Sequence, residues 1–259
     1  MSDLFLSRAV EAARAAGQKQ RAALGSEMAV DDLSDHDVKL RLDRECQELI
    51  TEMLLTTFPD HTVFGEEGGS AYGASEYQWI VDPIDGTVNF FHNFPHFCAA
   101  IALQKGGRTI AAVTYDPNRD ECFTAEKGKG AFVNDKRLRV AARRDLGEAV
   151  LATGIPFMGR PGHGVFLKEL HQIAQKVSGV RRFGSAALDL AYVAAGRFDG
   201  YWERGLGKWD MAAGLLLVTE AGGMVSDADG GENPLEAGTI LAANLDLHPL
   251  VLARLKAAV

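Results

Sequence analysis

At 259 residues, 47% of them hydrophobic, the chain can bury the core of one large domain or of two modest ones sharing an interface, which excludes a disordered protein. Lysine and arginine number 27 against 35 aspartates and glutamates, a formal net charge of -8, so nucleic acid is an unfavoured partner. For the same reason a phosphate-bearing ligand would need local compensation from metal ions or clustered backbone N–H groups.

The elements read as follows in chain order. Apolar residues recur at helical spacing from Leu4 to Leu24, with Asp3 available as a cap. The stretch from Met1 to Leu24 mixes charges into its apolar residues and lacks the greasy core of a signal peptide, and no later stretch reaches the roughly 18 apolar residues of a membrane span. A polar run, Asp31-Asp32-Leu33-Ser34-Asp35-His36-Asp37, predicts a mobile surface loop before a second helix from Leu42 to Phe58, stopped by Pro59. Short strands are predicted at Thr62 to Phe64, Tyr77 to Val81, Phe97 to Gln104, Thr109 to Tyr115 and Glu121 to Ala125, the last three separated by turn signals as in an antiparallel meander. Beyond about Val140 strands and helices alternate. A strand at Ala149 to Thr153 precedes helices near Gly164 to Val177 and at Ser185 to Ala195, and a strand at Phe198 to Glu203 precedes a helix from about Lys208 to Ala221. The expected division is therefore an N-terminal α+β half, 1–145, and a C-terminal α/β half, 146–259. Cys46, Cys98 and Cys122 are scattered and odd in number, without metal-ligand spacing, and read as reduced core thiols of a cytoplasmic protein.

Chemistry concentrates in Trp79-Ile80-Val81-Asp82-Pro83-Ile84-Asp85-Gly86-Thr87, a hydrophobic strand ending in two carboxylates. Pro83 between the acids would let Asp82 and Asp85 converge and expose the Ile84 carbonyl, a set of hard oxygens suited to a divalent cation. Gly86 permits a close approach, and a helix opening at Thr87 would aim free N–H groups at an anion. The competing reading is a decorated turn, since Asp-Gly pairs are common hairpin signals. Two further acidic pieces accompany it: Phe64-Gly65-Glu66-Glu67-Gly68 after a short strand, and Lys208-Trp209-Asp210-Met211-Ala212-Ala213-Gly214 at a helix start, where an acid can simply answer the helix dipole.

G-E-E, D-P-I-D-G-T-x-N-F and W-D-x-A-A-G, in this order and at these separations, resemble the inositol monophosphatase family over nearly the whole chain. Gly184-Ser185-Ala186-Ala187-Leu188-Asp189-Leu190 and Phe198-Asp199-Gly200-Tyr201-Trp202-Glu203 also look like that family's segments. The resemblance implies an α+β fold of the sugar-phosphatase type, a layered αβαβα sandwich with its site between the halves, and a homodimer. It also implies hydrolysis of a small phosphate monoester, foremost inositol 1-phosphate, with two or three Mg2+ ions and sensitivity to lithium.

Carried over residue by residue, Glu66, Asp82 and the Ile84 carbonyl would hold one cation and Asp82, Asp85 and Asp210 a second. Two such cations can clamp the attacking and leaving oxygens of an in-line displacement. The attacking water would be oriented by Glu66 and the Thr87 hydroxyl, with Asp43 accepting from Thr87 to complete a relay. The other reading of Asp43 is a helix-start acid beside Arg44. Gly86 and Thr87 N–H groups would bind phosphate, while Asp85, Asp210, Ser185, Ala186 and Glu203 would face the substrate; Glu203 reads equally as a surface charge. Members of the family often carry a lysine in the early loop and a threonine four residues before the relay aspartate. Here Asp31-Asp32 and Lys39 stand instead, which bears on loop closure and a third cation and leaves the core ligands untouched.

No G-x-S-x-G elbow supports a serine hydrolase, and His36, His61, His92, His96, His163, His171 and His248 show no zinc spacing. His92 and His96 follow the acidic motif and could line a pocket. Enzymes of histidinol phosphate, fructose bisphosphate and phosphoadenosine phosphate share the metal motifs, although Asn89-Phe90-Phe91-His92-Asn93-Phe94-Pro95 resembles the inositol type more. One bacterial branch of the family also serves in transcription antitermination complexes. Residues 184–197 resemble that branch, with Arg181 and Arg182 just before them as a small basic spot, or a solvated strand end.

Overall fold

Alternation of side chains along one strand explains the layering. The structure is a computed structural model that describes residues 2–26, 30–33, 38–68, 75–156 and 162–258. Helix α1 (Ser2–Ala23) turns Ala9, Ala12, Ala13 and Ala16 inward at helical spacing and lies beside α2 (Arg41–Thr57). Between them β1 (Val30–Leu33) and β2 (Val38–Leu40) form an antiparallel ribbon, so Asp31 lies in a strand, where the polar run had predicted a loop. Pairing of Val30, Asp32 and Leu33 with β2 outweighs the polarity of the run, while Asp31 stands at the register shift and is held by an ion pair with Arg44. Residues 34–37, including His36, and the side chains of Asp32 and Lys39 lie outside the described residues.

A seven-stranded sheet follows: β3 (Thr62–Gly65), β4 (Tyr77–Asp85), then, after the short helix α3 (Thr87–Phe91), β5 (Cys98–Lys105), β6 (Arg108–Asp116), β7 (Glu121–Glu126), β8 (Gly130–Val133) and β9 (Lys136–Arg137), in that spatial order. The first pair is parallel and the rest form the expected meander. Trp79 and Val81 of β4 face α1 and α2, whereas Ile80 faces the opposite side.

That opposite side is covered by α5 (Ala186–Ala194) and α6 (Lys208–Glu220), which come from the second part of the chain. The chain reaches them through a 3-10 turn at Leu146–Glu148, β10 (Val150–Thr153), α4 (His163–Ala174) and β11 (Gly179–Arg181); α5 leads into β12 (Gly200–Arg204) and then α6. After α6 come β13 (Met224–Ser226), α7 (Pro234–Ala237), β14 (Thr239–Ala243) and α8 (Leu247–Lys256). The second sheet has the order β11-β10-β12-β14-β13, parallel among the first three strands and antiparallel among the rest.

Parity along β12 again separates two cores: Tyr201 faces the α5/α6 layer, and Trp202 packs on Phe166 with α4 and α8 beyond. The succession is helix, sheet, helix, sheet, helix, the αβαβα sandwich expected from the motifs. Cys46, Cys98 and Cys122 are free and buried, as their scatter suggested, and burial pushes the Cys46 thiol up to about 12.

Candidate metal centre and active site

Strand β4 does not stop before its acids. It runs through both and changes character between them: the pairing with β5 shifts register between Asp82 and Asp85, where Pro83 cannot donate a ladder hydrogen bond. Until the shift even-numbered residues face the α5/α6 layer, so Asp82 points with Ile80 toward the middle of the sandwich. After it Ile84 turns into the α1/α2 core and Asp85 is re-aimed toward the helices. Gln20 of α1, fully buried, donates to the Pro83 carbonyl at 2.6 Å and fixes the irregular step from below.

The irregularity brings three carboxylates together. Asp82, Asp85 and Asp210 each offer an oxygen within 4.8 Å of the others. Asp210 sits three residues into α6 and accepts from Gly207 N–H at 2.6 Å, so the dipole-favoured helix acid is also a member of the cluster. Glu66 joins through its interaction with Asp82. The turn carrying Glu66 is fastened to α2 by Gln47, which accepts from Glu67 N–H at 3.0 Å and donates to the Gly68 carbonyl at 2.7 Å. Gln47 lies so close to Gly65 that a side chain there would strike it.

Electrostatics identify what this cluster suits. Burial, then mutual repulsion, pushes Glu66 up to about 8 and Asp82 and Asp210 well above the usual carboxylate range. Among the described residues the four form no ion pair with lysine or arginine. Neighbouring oxygens of this hardness, buried and uncompensated, fit divalent cations such as Mg2+, which would remove the repulsion.

Asp85 also ties the two parts of the chain together. Its Oδ2 accepts from the Ser185 hydroxyl at 2.5 Å and from Ala187 N–H at 2.8 Å, at the start of α5. Asn89 reinforces the seam: its amide donates to the carbonyls of His96 and Phe183, each at 2.7 Å, and lies 3.3 Å from that of Gly184. Gly86, with φ of 94°, makes the turn into α3 in the left-handed region, so the Asp-Gly pair starts a helix and no hairpin forms.

Asp43 is a helix-start acid, as one reading of it had it, and it also meets Thr87. Its Oδ2 accepts from Leu40 N–H at 2.9 Å and caps α2, while its Oδ1 lies 3.1 Å from the Thr87 hydroxyl, itself 2.9 Å from the Ile84 carbonyl. Burial holds the Asp43 carboxyl up at about 7. Ser185 and Glu203 are buried, and Glu203 lies in β12 where its charge acts on Asp210. A surface position for Glu203 is thereby excluded. His96 is buried with Nε2 3.3 Å from Asp189 Oδ1 and stacks on Phe183, whereas His92 is exposed. Arg181 and Arg182 are exposed.

The profile of the inositol monophosphatase family matches residues 2–259. The chain is 51% identical to inositol-1-monophosphatase of Caulobacter vibrioides over 96% of its own length and all of the relative's. It is 44% identical to Nus factor SuhB of Pseudomonas aeruginosa over 93% of this chain and 91% of that one. Among solved structures, the extragenic suppressor protein SuhB of Bartonella henselae superposes with a TM-score of 0.95 at 44% identity, covering 99% of this chain and all of the other.

Proposed function

The chain belongs to the inositol monophosphatase family, and from that premise we propose that it is a Mg2+-dependent phosphatase of small polyol phosphates, foremost inositol 1-phosphate. The observation that carries this reading is the meeting of Asp82, Asp85 and Asp210 within 4.8 Å, with Glu66 beside them. Glu66, Asp82 and the Ile84 carbonyl are the ligands assigned to one cation, and Asp82, Asp85 and Asp210 those of a second. Bound there, divalent cations supply positive charge for the phosphoryl oxygens and lower the pKa of water.

The protein's own groups do the rest. The Thr87 hydroxyl, held between Asp43 and the Ile84 carbonyl, orients the attacking water together with Glu66. Asp43, whose carboxyl sits near 7, can accept a proton passed through Thr87 at neutral pH. N–H groups of Gly86 and Thr87 receive the phosphate where α3 begins, and Ser185, the Ala186 backbone and Glu203 meet the alcohol part. Because Asp85 holds the start of α5, cation site and alcohol site keep one geometry.

The active species is proposed to be a cytoplasmic homodimer. Free buried cysteines suit a reducing compartment, and no helix among the described residues is long and apolar enough to cross a membrane. Phe94, exposed beside His96, offers an apolar anchor for a second copy. A second reading, participation in a transcription complex, is supported by the relatives named Nus factor and by exposed Arg181 and Arg182. The deciding assay measures phosphate release from inositol 1-phosphate, histidinol phosphate and fructose 1,6-bisphosphate with Mg2+, with EDTA and with added Li+. Turnover of inositol 1-phosphate that needs Mg2+ and falls with Li+ is expected; phosphate release undiminished in EDTA would sink the proposal.

A further inference from the structure

Every residue of α5 is buried, and Asp189, in its first turn, is the one acid among them. Its carboxylate, on a residue 1% exposed, lies with Oδ1 3.3 Å from Nε2 of His96, itself 3% exposed, in the segment between α3 and β5. Aromatic rings enclose the imidazole: Phe183 stacks on it with centroids 4.8 Å apart, and Tyr192 meets it edge-on at 5.8 Å. Asp85 and Arg182 also act on the charge of Asp189. The chemistry proposed above uses neither member of this pair.

Both ends of the contact lie beside the acidic cluster. The Asp189 N–H donates to the Ser185 carbonyl at 2.9 Å, and the same helical turn delivers the Ser185 hydroxyl and Ala187 N–H to Asp85 Oδ2. On the sheet side, His96 stands two residues before Cys98, the partner of Asp85 in the β4/β5 register. The His96 carbonyl accepts from Asn89 and lies so near Gly86 that a Cβ there would come within 3.0 Å of it. Apolar side chains pack the rest of α5 on α6. Such burial favours contact but is non-directional, whereas a polar pair in an apolar box is directional, because a shift strands a buried donor and acceptor. We propose that His96 and Asp189 are a positioning pair: by tying the first turn of α5 to the segment entering β5, they hold Ser185 and Ala187 against Asp85 and so set the geometry of the cation site. This rests on the reading, given above, that Asp85 is a cation ligand.

The test uses the full-length protein and Mg2+ as the probe, with two readouts independent of turnover: calorimetric titration of the metal-free protein and amide hydrogen exchange. His96→Gln keeps an N–H donor at the reach of Nε2, whereas His96→Asn is too short to meet Asp189. His96→Asn is expected to bind Mg2+ about tenfold more weakly, as when a partner that orients a metal ligand is lost, and His96→Gln to stay within about twofold of wild type. The Ala187 amide should exchange faster in metal-free His96→Asn than in His96→Gln. Joining His96→Phe to Asp189→Leu removes both polar groups at once, so this double variant should match wild type in stability and His96→Asn in Mg2+ affinity. Asp85→Asn is the reference and should lose Mg2+ binding altogether. Equal Mg2+ affinity in His96→Gln and His96→Asn, or wild-type affinity in the double variant, overturns the pair's role and spares the Asp85 reading if Asp85→Asn has lost the ion. Wild-type Mg2+ affinity in Asp85→Asn overturns both.

Discussion

Replacing Asp82 by asparagine should make the cation-free protein more stable and the enzyme inactive. Asp82 is 1% exposed, and Glu66, Asp85, Asp210 and Asp43 all push its carboxyl up after burial itself. At the 4.8 Å limit of the cluster, two full negative charges in an effective dielectric near 20 repel by roughly 3.5 kcal/mol. Partial protonation already relieves some of this, so we expect Asp82→Asn to gain about 2 kcal/mol without metal, or about 4–8 °C in Tm for a chain of this size. The asparagine oxygen can still accept from Ile84 N–H, which Asp82 Oδ1 meets at 3.1 Å, so the bulge persists.

The gain must depend on pH. Glu66 titrates near 8 in the folded chain against 4.5 ordinarily, so across that window the folded state keeps a proton the unfolded state releases. Wild-type stability from this cluster is therefore full below about 4.5 and declines until about pH 8, and the advantage of Asp82→Asn grows over the same range. Magnesium acts oppositely: at a hundred times its Kd it should stabilise the wild type by about 2.7 kcal/mol and the variant far less. Thermal melts at pH 5 and pH 8.5, in EDTA and in MgCl2, read all four quantities. Equal melting of variant and wild type in EDTA at pH 8.5, or an undiminished Mg2+ shift in the variant, would refute the reasoning.

Thr87→Val removes the hydroxyl between Asp43 and the Ile84 carbonyl; kcat for inositol 1-phosphate should fall about 10²-fold with KM little moved and the Mg2+ melting shift retained. Asn89→Ala takes the shared donor from the His96 and Phe183 carbonyls and should cost about 2–3 kcal/mol in chemical denaturation, together with a raised KM as the Gly184–Ser185 turn loosens. Arg204→Met strands Glu169, which is fully buried and 2.7 Å from the guanidinium, and should cost about 3–5 kcal/mol; adding Glu169→Leu should recover much of it.

How far each part was legible follows from the range of the force that made it. Helices α1, α2, α5 and α6 announce themselves by apolar period and stop signals within a few turns of chain, and the observed bounds differ from the expected ones by one or two residues, apart from three at the end of α4. The short strands β11, β13 and β14 and the helices α7 and α8 were not anticipated. Thr239–Ala243 is a brief apolar run that a helix would fit as well, and Met224 is 44% exposed although its strand pairs with β14. Polarity misled at residues 31–33, where pairing of Asp32 and Leu33 with β2 decides the conformation and Asp31 stands at the register shift.

The acids of the centre were visible because three acidic segments stand in an order and at separations that resemble a known family, although each alone reads as a turn or as a helix-start acid. Gln20 and Gln47 were not singled out, since a buried amide inside an apolar helical face was their only signal, and Asn89 entered only as a letter of the motif with no role; each acts on a backbone group 20 to 95 positions away. Asp189 likewise stands as one letter of its segment until His96 is seen beside it.

Composition, hydrophobic period and the acidic segments carried the mixture of helices and strands and, through the resemblance of those segments to a known family, the family itself, since these depend on which groups stand near one another along the chain. Only the tertiary structure decided that the register shift in β4 turns Asp85 toward α5, that Asp43 caps a helix and meets Thr87 at once, and that Glu203 is buried. Each of these needs two or three distant segments to close on one point, and the free energy that closes them comes from cores shared by both sheets, which no single stretch of sequence contains.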